Sequence, residues 1–298
     1  MNFKIITLTA GNARAIFLPE KGGLMTSLQL NDPARPGQTR ELLYMPEGMD
    51  LEKYHKLGVA WPFCFPICAR LSRQGQSAYL YQHRLYQMGI HGFGYQLPWE
   101  VVNLSENHVQ MRLTASEKSL EQYPFHFEVV LTYRLTEQGL ECDQLYRNLG
   151  DMPMPYYAGF HPYFWIDPSR YSKSQVKLEC VPLKRLRYNA DLTDILGEQP
   201  LFTLPVAIDT PEINESLLVL TSDHRVRLVF PDASTIEMTV EGVDKLLFNY
   251  LQLYHIPEEP FFCVEPWMSH PNSLNTLGAS RWLAAGETDL ALLQLTLT

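Results

Sequence analysis

No run of about 18 consecutive apolar residues occurs in the 298-residue chain, so no stretch of it reads as a membrane-spanning helix. The opening residues MNFKIITLTAGNARAIF hold one lysine and are broken by polar residues where a secretory signal needs an uninterrupted apolar stretch. The expectation is a soluble, cytoplasmic protein. Basic residues are also few: 24 Lys and Arg against 33 Asp and Glu give 24 − 33 = −9, and they form no block or stripe. Neither nucleic acid nor an anionic membrane surface is therefore expected as a partner. Cysteine is scarce and odd in number (Cys64, Cys68, Cys142, Cys180 and Cys263), which fits reduced thiols rather than a disulfide framework. Cys64 and Cys68 lie four apart with no second pair, so they do not make a structural zinc site.

Catalytic signatures are missing as well. There is no G-x-S-x-G elbow, no H-E-x-x-H pair and no G-K-[ST], which removes the serine hydrolase, zincin and P-loop readings. GIHGFG at 89–94 is glycine-rich in the order G-x-x-G-x-G and precedes no helical pattern. It reads as a tight turn, or as a place where small neighbours let a ligand approach His91. Helical periodicity is confined to MDLEKYHKL at 49–57 and SEKSLEQY at 116–123, both too short for the crossover of a parallel βαβ sheet.

What is abundant is alternation. Val109, Met111, Leu113 and Ala115 alternate with polar residues, as do Phe127, Val129, Leu131, Tyr133 and Leu135. Such runs are strands with one buried face. The pattern returns in QVKLECV at 175–181, RVRLVF at 225–230, STIEMTV at 234–240 and the C-terminal LLQLTLT, separated by Gly, Pro, Asn or Asp. An all-β, mostly antiparallel architecture follows, and no Pro/Ser/Gly-rich linker divides residues 1–298 into two domains.

Two segments carry chemistry. In YYAGFHPYFWIDP, residues 156–168, His161 sits among aromatic residues and before Pro162, with Pro153, Pro155 and Pro168 stiffening the surroundings. It is either a packed core histidine or an imidazole fixed for proton transfer. In FFCVEPWMSHPN, residues 261–272, Glu265 follows four apolar residues, and a buried carboxylate must be paired or functional. Arg70 in FPICARLSR is the obvious ion-pair partner.

FPICARL at 65–71, GIHGFGYQLPWE at 89–100, YPFHFEVVLTYRL at 123–135, AGFHPYFW at 158–165 and CVEPWMSHPN at 263–272 together resemble the successive motifs of the aldose 1-epimerase (galactose mutarotase-like) family, in that family's order. The resemblance implies one large antiparallel β-sandwich, the supersandwich, with few short helices and an open sugar-binding cleft. It implies that Arg70 and His91 hold the sugar, that His161 is the general acid and that Glu265 is the general base. Two departures stand out. The sugar-binding aspartate has no clear counterpart in DTPEINESLL at 209–218, where Asp209, Asn214 and Glu215 are all available. Ala69 stands where the family has glycine before the arginine, which bears on the local backbone, not on the chemistry.

The chemistry implied is interconversion of α and β anomers. One group takes the O1 proton while another protonates O5; the ring opens, C1 turns and the ring closes on the other face. Nearby carboxylates are expected to hold the charge on His161, whose free pKa of about 6.5 leaves it mostly neutral at pH 7. Trp267, Tyr163 and Phe93 are available to stack on the pyranose. No metal or organic cofactor is required. A free hexose such as galactose or glucose is the expected substrate; a hexose 6-phosphate would draw on Arg70, Arg73, His83 and Arg84, which form no dense cluster. A non-catalytic sugar-binding protein would have no use for both His161 and Glu265.

Overall fold

The computed structural model describes residues 4–49, 58–242, 247–276 and 280–298. Two large antiparallel sheets face each other. The nine-stranded sheet runs in the order Val206–Ala207, Lys177–Glu179, Val226–Val229, Thr235–Gly242, Thr288–Leu297, Gly139–Asn148, Phe127–Leu135, His108–Thr114 and Glu100–Leu104. The predicted alternation is visible in it, since Phe127, Val129, Leu131, Tyr133 and Leu135 are all buried. Phe127 lies opposite Asn148 and Leu135 opposite Leu140, so the register places one apolar face inward along the whole pair. The strand Thr288–Leu297 sits inside the sheet, bonded to Gly139–Asn148 on one side and Thr235–Gly242 on the other.

The eight-stranded sheet runs Ile195–Gln199, Pro182–Tyr188, Ser216–Leu220, Tyr250–Tyr254, Phe261–Trp267, Gly159–Phe160 and Phe63–Cys64, with Tyr163–Trp165 also paired to Phe261–Trp267. Aromatic rings join the layers: Phe65 packs on Phe127 at 4.9 Å and Phe63 on Tyr146 at 6.4 Å between centroids. A four-stranded sheet over residues 6–41 covers part of the core, with Phe17 against Tyr133 at 4.9 Å. It shows the same alternation, Ile6 and Leu8 buried around exposed Thr7, in a region for which no strand is predicted above.

The predicted strand over 175–181 is shorter than its pattern. Only Lys177–Glu179 pairs, because Ser172 and Gln175 close a 3₁₀ turn over Lys173–Gln175 before it. After Cys180 and Val181 the chain leaves one sheet and enters the other at Pro182. The helix predicted over 116–123 is Glu117–Gln122, its first turn closed by reciprocal Ser116 and Ser119 bonds. The helix proposed over 49–57 lies, beyond Met49, outside the described residues. No helix among the described residues is long and apolar enough to cross a membrane.

Candidate active site

The strand Phe261–Trp267 is buried along its whole length, which leaves its carboxylate no route to bulk water except a cleft. Glu265 faces that cleft directly opposite Gln252 of the neighbouring strand. On the other side, Gly159 pairs with both Trp267 and Cys64. A Cβ at Gly159 would stand 2.5 Å from Cys68 Sγ and 2.7 Å from Trp267 Cδ1, so only glycine lets the chain pass between these two strands. Two residues later the backbone N–H of His161 donates to Pro62 O at 3.0 Å, fixing the imidazole over Glu265.

The second histidine is delivered by a strained junction. Ala69 and His91 both have left-handed backbones, φ 58° and 59°. The His91 N–H donates to Ala69 O at 2.8 Å, and the Ala69 N–H donates back to His91 Nδ1 at 3.0 Å. The conformation at Ala69 is the one a glycine adopts freely, so the departure noted in the sequence leaves the backbone path unchanged and adds strain. Gly92, φ 69°, then brings the chain against Phe65, whose carbonyl oxygen would lie 2.3 Å from any Cβ there. GIHGFG is thus both a tight turn and the presenter of His91.

Arg70, His91, His161 and Glu265 all line one cleft of about 540 Å³, a volume in the ordinary range for small-molecule sites. His161 Nε2 lies 3.3 Å from Glu265 Oε2 and 3.3 Å from the Tyr163 hydroxyl, and the imidazole stacks on the Tyr163 ring at 4.5 Å. His91 and His161 are 5.2 Å apart, edge to face. The pairing of Glu265 with Arg70 is not what the structure shows: the group that approaches Glu265 is His161, and Arg70 acts instead on Glu215, whose carboxyl burial raises and the guanidinium pulls back down.

Burial governs the charges here. It pushes the Glu265 carboxyl well above the usual range, with the Glu215 carboxylate adding to the rise, and it lowers His161 to about 3. The carboxylates therefore do not hold a proton on His161 in the empty cleft, because removing the imidazolium from water costs more than they return. Burial thus favours the neutral form of both groups in the empty cleft, with the proton of the pair on the carboxyl. Glu265 Oε2, His161 Nδ1 and Trp267 Nε1 are buried without a hydrogen-bond partner, an arrangement tolerated where a ligand completes it.

His91, His161 and Glu265 each offer a ligand atom within 4.8 Å of the others, a geometry that would suit a metal. The hydrogen bonds argue otherwise. With Nδ1 accepting from Ala69, the proton of neutral His91 sits on Nε2, and a protonated ring nitrogen has no lone pair to give.

Of the three residues left open for the missing aspartate, Glu215 enters the cleft. Asn214 accepts from the His255 N–H, and Asp209 borders a separate hollow. Glu215 is set by a chain in which the Tyr188 hydroxyl donates to Gln252 Oε1 at 2.7 Å and Gln252 Nε2 donates to Glu215 Oε2 at 3.0 Å. Gln252 was legible only as a polar residue interrupting the apolar YLQLY. Trp267 and Tyr163 line the cleft, whereas Phe93 is packed among Phe65, Tyr123 and Phe127 and is core.

The chain and its fold have counterparts among known proteins. Over 107 residues the chain is 30% identical to the LacX plasmid protein of Lactococcus lactis, a match spanning 35% of this chain and 36% of LacX. Among solved structures, the Slr1438 protein of Synechocystis superposes with TM-score 0.81 at 25% identity, covering 100% of this chain and 96% of that one. A galactose mutarotase-like protein of Lactobacillus casei superposes with TM-score 0.80 at 21% identity, covering 99% and 100%. Residues 4–279 match the aldose 1-epimerase family, and with nearly the whole chain covered the protein belongs to it.

Proposed function

We propose that the protein interconverts the α and β anomers of a free aldohexose such as galactose or glucose. The observation that supports this most directly is the 3.3 Å approach of one imidazole and one carboxyl at the base of a cleft. O1 and O5 are bonded to the same carbon, so their protons must be exchanged by two groups side by side.

Glu265 takes the O1 proton and His161 protonates O5, leaving Glu265 protonated and His161 neutral beside the open-chain aldehyde. Ring closure on the other face runs the transfer backwards. The two ends of the step are the two positions of a single proton, and burial already favours the position reached on opening. Sugar hydroxyls, by solvating the Glu265 carboxylate, supply the other position when a closed ring binds.

Charge in the cleft favours an unphosphorylated sugar. Among the described lining residues Arg70 is the one permanent cation, against Glu215, Glu259 and Glu265, and Arg73, His83 and Arg84 do not reach the cleft. A phosphate dianion would meet more carboxylates than guanidinium. Polarimetry of freshly dissolved α-D-glucose, α-D-galactose and glucose 6-phosphate tests this. Acceleration of the free hexoses is expected; acceleration of the 6-phosphate alone overturns the substrate class, and binding without acceleration makes the protein a sugar-binding module.

A further inference from the structure

We infer that Cys64 is a positioning residue: its thiol, together with the Ala69 amide, holds His91 as a neutral donor that presents Nε2–H to the sugar. Cys64 Sγ lies 3.3 Å from His91 Nδ1 and is fully buried. The direction of that hydrogen bond is set by the neighbour. Ala69 N–H already donates to Nδ1 at 3.0 Å, so Nδ1 carries a lone pair and no hydrogen, and the thiol must be the donor. Nε2 has no hydrogen-bond partner among the described residues, and His91 lines the cleft.

The consequence for the reaction is a division of labour between two rings 5.2 Å apart. Charging His91 would put a hydrogen on Nδ1, pointed at two donors. His161 has no such restraint at Nε2, which faces Glu265 and the Tyr163 hydroxyl. The charged and titratable groups around His91 are His161, Arg70, Glu265 and Cys64. Burial, His161 and Arg70 all disfavour an imidazolium at His91, and the two donors at Nδ1 oppose it further. Proton exchange is thereby confined to His161 and Glu265, and His91 stabilises a sugar oxygen without competing for the proton.

The kinetic consequence rests on the proposed anomer interconversion; the tautomer of His91 is a property of the empty protein and is read separately. The experiment compares wild type, Cys64→Ser and Cys64→Val by nitrogen-15 NMR of labelled histidine across about pH 5 to 9, by polarimetry and by circular dichroism. Serine keeps a donor, and valine keeps an apolar side chain of similar size. The expected result is that wild type and Cys64→Ser show an Nδ1 signal shifted by donors, with Nε2 protonated at every pH. In Cys64→Val that signal moves toward a free acceptor nitrogen, and turnover falls about five-fold, the loss typical of one neutral hydrogen bond. The opposite order, valine retaining the wild-type signal and rate while serine loses both, makes Cys64 a packing residue and overturns the inference. An Nδ1–H tautomer in wild type overturns it outright. If Cys64→Val does not fold, the Cys64→Ser spectrum decides alone, since a displaced Nδ1 signal there contradicts the donor role. A protein with the expected tautomer and no epimerase activity would refute the function and leave the lock in place.

Discussion

His161 and Glu265 are 5% and 1% exposed, so their behaviour is set by what burial does to a shared proton. His161→Asn and Glu265→Gln keep size and polarity but remove transfer, and each is expected to lower turnover by about two orders of magnitude or more with the fold intact. The double variant should be little slower than either single one, since acid and base serve one event. The active state is the pair holding one proton, so the pH profile of kcat/KM reports the pair. Its acid limb comes when His161, lowered to about 3, takes a second proton, and its alkaline limb when Glu265, raised by burial, loses the shared one. The measurement is a rate plateau running well below the ordinary histidine value; an acid limb centred near it would contradict the assignment. At Arg70, replacement by alanine is expected to raise KM about ten-fold with kcat less affected, as for loss of a charge-assisted contact to a hydroxyl. The four motif residues were legible because each stands in a short, unusual context such as FHPYF or FCVEPW. Cys64 was not, and Tyr163 was legible only as an aromatic ring and not as a partner of His161, since such roles depend on which ring nitrogen faces which donor, and that follows from backbone paths rather than residue type.

The longer strands with a buried and a wet face were readable, whereas the short alternation around Ile6 and Leu8 and the strands buried on both faces were not. Phe127–Leu135 alternates because one side meets solvent, whereas Phe261–Trp267 is apolar throughout and offers only Glu265 as an anomaly. The two-residue strands Phe63–Cys64 and Gly159–Phe160 are too short for any period, yet they frame the site. Gly159→Ala is expected to destabilise the protein by about 1–3 kcal/mol, because Cys68, Trp267 and the Pro266 carbonyl leave no volume for a methyl group. Ala69→Gly should act oppositely, raising stability by up to about 1 kcal/mol by relieving a left-handed alanine while keeping activity. Chemical denaturation of the two variants beside wild type gives both signs.

For the whole molecule, the buried pair predicts how stability follows pH. Between the His161 value of about 3 and the raised Glu265 value the folded protein keeps one proton on the pair, while the unfolded chain holds two below the ordinary carboxyl value of 4.5, one between 4.5 and 6.5, and none above 6.5. Stability from this pair is therefore level between those values and falls on both sides, by about 1.4 kcal/mol per pH unit, as protons are taken up or lost on unfolding. Denaturation of wild type against the double variant His161→Asn/Glu265→Gln isolates the effect: the difference should be flat in the middle and steep at either side. The wider architecture has a further consequence for biosynthesis. Thr288–Leu297 lies between Thr235–Gly242 and Gly139–Asn148, so the nine-stranded sheet is joined by the segment translated last among them. Until it leaves the ribosome, two hydrogen-bonding edges that will end up in the interior stay open in the nascent chain. Pairing across such sequence distances is slow, so the growing polypeptide presents each edge to the crowded cell from the completion of its strand until the last one emerges, longest for Gly139–Asn148, and protection by a holding chaperone matters most during that interval.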